Sequence, residues 1–177
     1  MKKIGLVIAA SGLFLSGAAL ATDNDLSATL AITGDVHSNA NCTVELDRST
    51  MNLGRHDIST LPTQGHYEAD IATTNVARLV GDGCLSKTGS DLALKFIGMA
   101  DAEQGNAFTN SVTGSAAAQG IGIGVYGANG AVISPNTSTV IALNKQYLFS
   151  AGMVKMNNST PAPGLVHSSI TVQIERL

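Results

Sequence analysis

Apolar residues recur at every second position in several short stretches, and few fall at helical spacing. Between Asp25 and Val36, Leu26, Ala28, Leu30 and Ile32 alternate with polar or small neighbours, and the pattern steps over Gly34 to Val36. That is the period of a strand with one buried face. Similar runs follow in Cys42–Asp47 (CTVELD), Met51–Ile58 (MNLGRHDI) and Ala69–Cys84, the last ending in a Gly-Asp-Gly turn signal. Leu92, Leu94, Phe96 and Gly98 share one face of the next run. Asn129-Gly130 stands between alternating apolar flanks and predicts a hairpin. Tyr147, Phe149, Ala151 and Met153 alternate in QYLFSAGMVKM, and Ile170, Val172 and Ile174 in the closing SSITVQIERL. Strands spaced ten to fifteen residues apart, with Gly, Asn or Ser between them, predict an antiparallel β-sandwich. Two ends of this pattern lack a partner: the first strand precedes the apparent sandwich, and the last runs into the terminus. An unpaired apolar edge invites aggregation unless something covers it.

Lys2 and Lys3, the apolar run Ile4–Leu15 and the closing Ala19-Leu20-Ala21 form a secretory signal peptide, with cleavage expected after Ala21. The apolar run is shorter than the roughly 20 residues that span a bilayer. Removal of 21 of the 177 residues leaves 177 − 21 = 156, a single ordinary domain. Two of the ten basic residues leave with the signal, so the mature charge is 8 − 13 = −5. That balance argues against nucleic acid or an anionic lipid surface as partner.

Cys42 and Cys84 are the only cysteines. In an exported chain an even count predicts a disulfide, and neither residue has a second Cys or a His at ligand spacing. Two buried thiols or half a metal site are the alternatives. Gly122, Gly124 and Gly127 spell G-x-G-x-x-G, but no helix follows, so they are expected to be strand positions where close packing is wanted. His37, His56, His66 and His167 lack metal-ligand spacing. Asn41, Asn136 and Asn157 open sequons that matter only in a eukaryotic secretory route. No H-E-x-x-H, G-x-S-x-G or P-loop is present, and no acidic pair stands out, so neither an enzyme nor a cofactor is expected.

The order of these pieces resembles subunits of chaperone–usher fimbriae, the type 1 pilin-like family. It is carried by ITGDV, NCTV, MNLG, VARLVGDGC, LALKFIGMAD, the IGIGVYGANGAVI hairpin, QYLFSAGMVK and SSITVQIERL, across essentially the whole mature chain. The resemblance implies an all-β fold, an incomplete immunoglobulin-like antiparallel β-sandwich completed by a donated strand. It implies residues 22–36 as an N-terminal donor-strand extension and 37–177 as the pilin domain. Leu26, Ala28, Leu30 and Ile32 are then the donated residues, polymerising an adhesive fimbrium by donor-strand exchange with copies of itself or sister subunits. A periplasmic chaperone first fills the groove, facing Ile170, Val172, Ile174, Arg176 and the carboxylate of Leu177, and an outer-membrane usher promotes exchange. The route runs through the periplasm to the cell surface. Arg176 departs from the family's penultimate tyrosine, and Ala28 stands where the family tends to place a glycine. The other readings are a self-complete exported module whose first strand folds back on its own sheet, and a minor tip or adaptor subunit.

Overall fold

The computed structural model describes residues 42–84 and 91–177 in full and the backbone of 28–33; the signal region, Leu26 and His37 lie outside the described residues. Among the described residues, ten strands form two five-stranded sheets packed face to face. In chain order they are β1 (Ala28–Thr33), β2 (Thr43–Leu46), β3 (Thr50–Gly54), β4 (Thr73–Val80), β5 (Leu92–Gly98), β6 (Phe108–Thr109), β7 (Ile121–Gly127), β8 (Thr139–Ile141), β9 (Gln146–Lys155) and β10 (Val166–Arg176). One sheet has the order β3-β1-β10-β5-β8 and the other β2-β4-β9-β7-β6. Every strand pairing is antiparallel except β1 with β10, which is parallel. Among the described residues, helical structure is confined to three single 3-10 turns.

The alternation read from the sequence becomes the inner faces of the two sheets. In β4, Asn75, Ala77 and Leu79 are buried while Thr74, Arg78 and Val80 are exposed. Leu92, Leu94 and Phe96 of β5, Phe149, Ala151 and Met153 of β9, and Ile121, Ile123 and Val125 of β7 share the same core. Phe96 and Phe149 meet edge to face across it, their ring centres 5.0 Å apart. Tyr147 is half-buried at its margin.

The hairpin expected at Asn129-Gly130 is present as a turn, but its return strand is brief. The Gly127 amide donates to the Ala131 carbonyl at 2.8 Å, and Tyr126 bridges Val132 alone. β7 instead spends its length against β9, a distant partner. Its glycines make that packing possible. A Cβ on Gly122 would strike the Met156 sulfur and come within 2.8 Å of the Phe108 carbonyl, and one on Gly124 would strike the Tyr126 hydroxyl. A Cβ on Gly127 would come within 2.7 Å of the Tyr147 hydroxyl, so all three glycines let side chains lie close against a buried strand.

Where ladders end, asparagine side chains stand in for the absent strand. Asn75 donates to the Arg48 carbonyl at 2.7 Å and accepts from its amide at 3.2 Å, fastening the loop between β2 and β3. Asn136 does the same to Gly98 at the end of β5. Asn110 donates to the carbonyls of Ala118 and Leu165 and accepts from the amides of Val112 and His167, which fixes the start of β10. Each satisfies backbone groups that burial would otherwise leave unpaired.

Cys42 and Cys84 are joined in a disulfide between the start of β2 and the end of β4, both sulfurs in the core. Closing this loop stabilises the fold by roughly 4 kcal/mol on the chain-entropy account.

Tyr126 is almost fully buried, and its hydroxyl donates to the His66 carbonyl at 2.8 Å. Burial pushes its pKa from 10 up to about 12, and burial raises Tyr147 as well. A folded-state pKa above the unfolded one favours the neutral phenol in the fold. Stability is therefore complete below pH about 10 and lost as pH climbs towards 12. Tyr126→Phe should make the denaturation midpoint less sensitive to pH between 10 and 12, leaving the smaller contribution of Tyr147; urea titrations across that range check it.

Candidate functional site: a strand slot between β3 and β10

The wall strands of the site come from opposite ends of the chain. β3 has a single ladder neighbour in its sheet, β1. On that strand Met51 and Leu53 are buried and Thr50, Asn52 and Gly54 exposed, so its apolar face belongs to the core although its edge depends on β1. β10 pairs with β5 on one side, from Ile170 opposite Gly98 to Arg176 opposite Leu92. Its first residues are held on that side by the Ser111 amide, which donates to the His167 carbonyl at 2.7 Å, and by Asn110. The other side of β10 faces β1.

β1 lies in this slot. Ala28, Leu30 and Ile32 are register partners of Val166, Ser168 and Ile170, all three buried. On its other edge Ala28 pairs with Gly54, Thr29 with Asn52, Leu30 with Met51 and Ala31 with Thr50, with an irregularity between Ala28 and Thr29. Taking β1 away would leave two strand edges about 9–10 Å apart, each with an unpaired row of backbone groups.

The inner-face row of β10 runs Val166, Ser168, Ile170, Val172, Ile174, Arg176. Ile170 and Val172 are fully buried, Ile174 half-buried, Arg176 and Leu177 exposed. Arg176 ends the row by donating from its guanidinium to the Gly83 carbonyl at 2.6 Å, next to the disulfide on the opposite sheet. That hydrogen bond ties the end of β10 to the turn after β4 in the other sheet. On the outer face Glu175 accepts from Thr139 at 2.8 Å and pairs with Lys95 at 3.3 Å. Those contacts hold its carboxyl below the usual range, the Thr139 hydrogen bond most of all. The Leu177 amide donates to the Asp91 carbonyl at 3.0 Å.

At the opposite end, beside Val166, a cavity of about 480 Å³ is lined by Ile58, Leu61, Ile121, Met153 and Val166, with Arg55 and His56 among the residues at its wall. It adjoins the end of the slot where Ala28 is opposite Val166 and Gly54. The sequence reading named the β10 residues and the first strand. The run Met51–Ile58 reads as a strand in the sequence, but nothing in it marks β3 as the second wall or the turn beyond it as a wall of the cavity. The alternation of Met51 and Leu53 was the available signal. Among the described residues, no cluster of His, Cys, Asp or Glu could hold a metal ion.

A family model described as fimbrial protein matches residues 30–175, from within β1 to the last residues of β10. The chain belongs to the fimbrial protein family. Among solved structures it is similar to the P pilus rod subunit PapA, at 17% identity and a TM-score of 0.56, over 82% of this chain and 100% of that one. A Burkholderia pseudomallei antigen and type I fimbria protein matches at 12% identity and a TM-score of 0.39, over 86% of this chain and 94% of that one. Among curated proteins none matches by sequence. The likeness to the rod subunit gives the sandwich its pilin character, and family membership makes the chain a structural subunit of a surface fimbrium, assembled with other subunits.

Ile170 lies at the centre of the slot's wall with no solvent exposure. Ile170→Ala should lower unfolding stability by about 2–5 kcal/mol, whereas Ile174→Ala, half-buried near the end of the strand, should cost less. Urea midpoints of the two variants against the parent chain measure the difference.

Proposed function

We propose that this fimbrial subunit polymerises by strand exchange, its N-terminal extension, residues 22–36, entering the slot between β3 and β10 of the next subunit. The observation that carries the reading is that, among the described residues, β3 has no ladder neighbour other than β1, a strand that precedes residues 42–177 in the chain. Leu26, Ala28, Leu30 and Ile32 are the donated residues. The cavity beside Val166, lined by Ile58, Leu61, Ile121 and Met153, offers an apolar place for one side chain of the entering strand. Burying Leu26, Leu30 and Ile32 contributes roughly 1.5–3 kcal/mol each, before any main-chain bonds. Assembly is then driven by completing a fold and needs neither nucleotide nor cofactor.

Before exchange, the slot requires a temporary strand. A periplasmic chaperone supplies it, reading Ile170, Val172 and Ile174 along the edge and Arg176 with the carboxylate of Leu177 at the end, and an outer-membrane usher promotes replacement. Strand addition of this kind takes its affinity from main-chain hydrogen bonds and its specificity from pockets for alternate side chains, as in chaperone–pilin complementation. The exposure of Leu177 at the end of β10 suits such docking. Export proceeds with loss of residues 1–21.

One observation favours the second reading, a self-complete module: β1 fills the slot of its own chain. A truncation separates the two. With residues 22–34 deleted, the subunit should still co-purify with the chaperone and should no longer join its neighbour, so fibre yield by electron microscopy falls to background. Normal fibres from the truncated chain would contradict strand exchange. Failure of the truncated chain to associate with the chaperone, together with a full-length chain that never polymerises, would favour the self-complete module.

A further inference from the structure

We infer that Asn129 is a site of spontaneous deamidation, and that the hairpin tip, with Tyr67 lying over Gly130, sets how fast the reaction runs. The inference stands independently of strand exchange. Of all the asparagines in the chain, Asn129 alone precedes a glycine. With no Cβ beside it, the glycine nitrogen is the least shielded partner an asparagine side chain can have. In the reaction the Gly130 nitrogen loses its proton to water and bonds to Asn129 Cγ. The bond from Cγ to Nδ2 breaks, ammonia leaves after taking up a proton from solvent, and a cyclic imide remains. Water then opens the ring at either carbonyl, giving an aspartyl residue or an isoaspartyl link in which the chain runs through the former side chain. Water is the sole co-reactant, and either product carries an added negative charge.

In the fold the groups that must react are engaged elsewhere. The Gly130 amide donates to the Gly127 carbonyl at 2.9 Å, and the Asn129 side-chain oxygen accepts from the Ala131 amide at 3.1 Å. Ala128 and Asn129 keep negative φ while Gly130 sits at +76°, so the tip is a type I turn followed by a left-handed glycine. Tyr67 covers it. A Cβ placed on Gly130 would lie 3.1 Å from the Tyr67 ring, which therefore rests against the glycine α-carbon. Tyr67 is placed in turn by the buried Tyr126: their ring centres are 5.2 Å apart, and the Tyr126 hydroxyl holds the His66 carbonyl next to Tyr67.

Ring closure has to free the Gly130 amide from Gly127 and turn the Asn129 carboxamide away from Ala131. It therefore proceeds from a locally opened tip, and its rate is the intrinsic rate multiplied by the open fraction. Asn129 itself is exposed, so water and base reach the site as soon as the turn opens. Once an isoaspartyl link forms, the backbone between positions 129 and 130 is longer by a carbon. The bond from the Gly127 amide to the Ala131 carbonyl, 2.8 Å in this turn, and the seat of Gly130 under Tyr67 cannot then both be kept. The lesion thus loosens the tip that had delayed it.

Peptide mass mapping of the full-length mature chain, incubated in mildly alkaline buffer either folded or unfolded in guanidinium, tests the proposal. In the unfolded chain Asn129 should convert before every other asparagine, and in the folded chain it should convert about tenfold more slowly or less. Folded Tyr67→Ala, its fold checked by circular dichroism, should convert severalfold faster than the parent, and Tyr67→Phe, which keeps the ring, should match the parent. Another asparagine leading in the unfolded chain would overturn the site. Equal rates in the folded and unfolded parent would overturn the control by the hairpin tip, and an unchanged rate in folded Tyr67→Ala would overturn the part given to Tyr67. The folded and unfolded parent are compared without any variant, so the proposal is decided even where Tyr67→Ala does not fold.

Discussion

Backbone hydrogen bonding at two strand edges governs this molecule. β3 and β10 face each other across the width of one strand, and the amides and carbonyls along those edges lie beside an apolar core. Groups of this kind cannot be left unpaired at low cost, and an apolar open edge is also a template for association. Here β1 of the same chain satisfies them and completes the sandwich.

The rest of the fold holds the two edges in place without help from β1. The disulfide ties the start of β2 to the end of β4, and Asn75 clasps the loop that carries the chain from β2 to β3. On the other wall, β5 pairs with seven consecutive residues of β10, while Asn110 anchors its first turn of sequence. Arg176 bridges the sheets at one end. None of these contacts involves β1, so the walls have supports independent of the strand between them.

Much of the sandwich could be read from alternation alone. The inner faces of β4, β9 and β10 follow the period-two pattern, and Phe149, Ala151, Met153, Ile170 and Val172 are core residues, as their spacing implies. Local turn chemistry was legible at Asn129-Gly130, yet the strand after it is short because β7 finds its main partner in β9. The glycines of β7 carried a motif whose meaning only packing settles: the Met156 sulfur and the Tyr126 hydroxyl occupy the space that side chains would take. Long-range pairing has no signal in a single strand's pattern. The partner of the first strand, the role of β3 as a wall and the three asparagine clasps were hidden for that reason. β1 lies here between β3 and β10, paired with both.

The central claim is that residues 42–177 form a sandwich that stays open between β3 and β10 until a strand enters. The most direct measurement refolds the chain lacking residues 22–34, with and without a synthetic peptide of Asp25–Val36, and follows thermal unfolding by circular dichroism. The account predicts aggregation or no cooperative transition alone, and a cooperative melt of a one-to-one complex once the peptide is present. A truncated chain that melts cooperatively as a monomer at the full-length temperature, unaffected by the peptide, would contradict it.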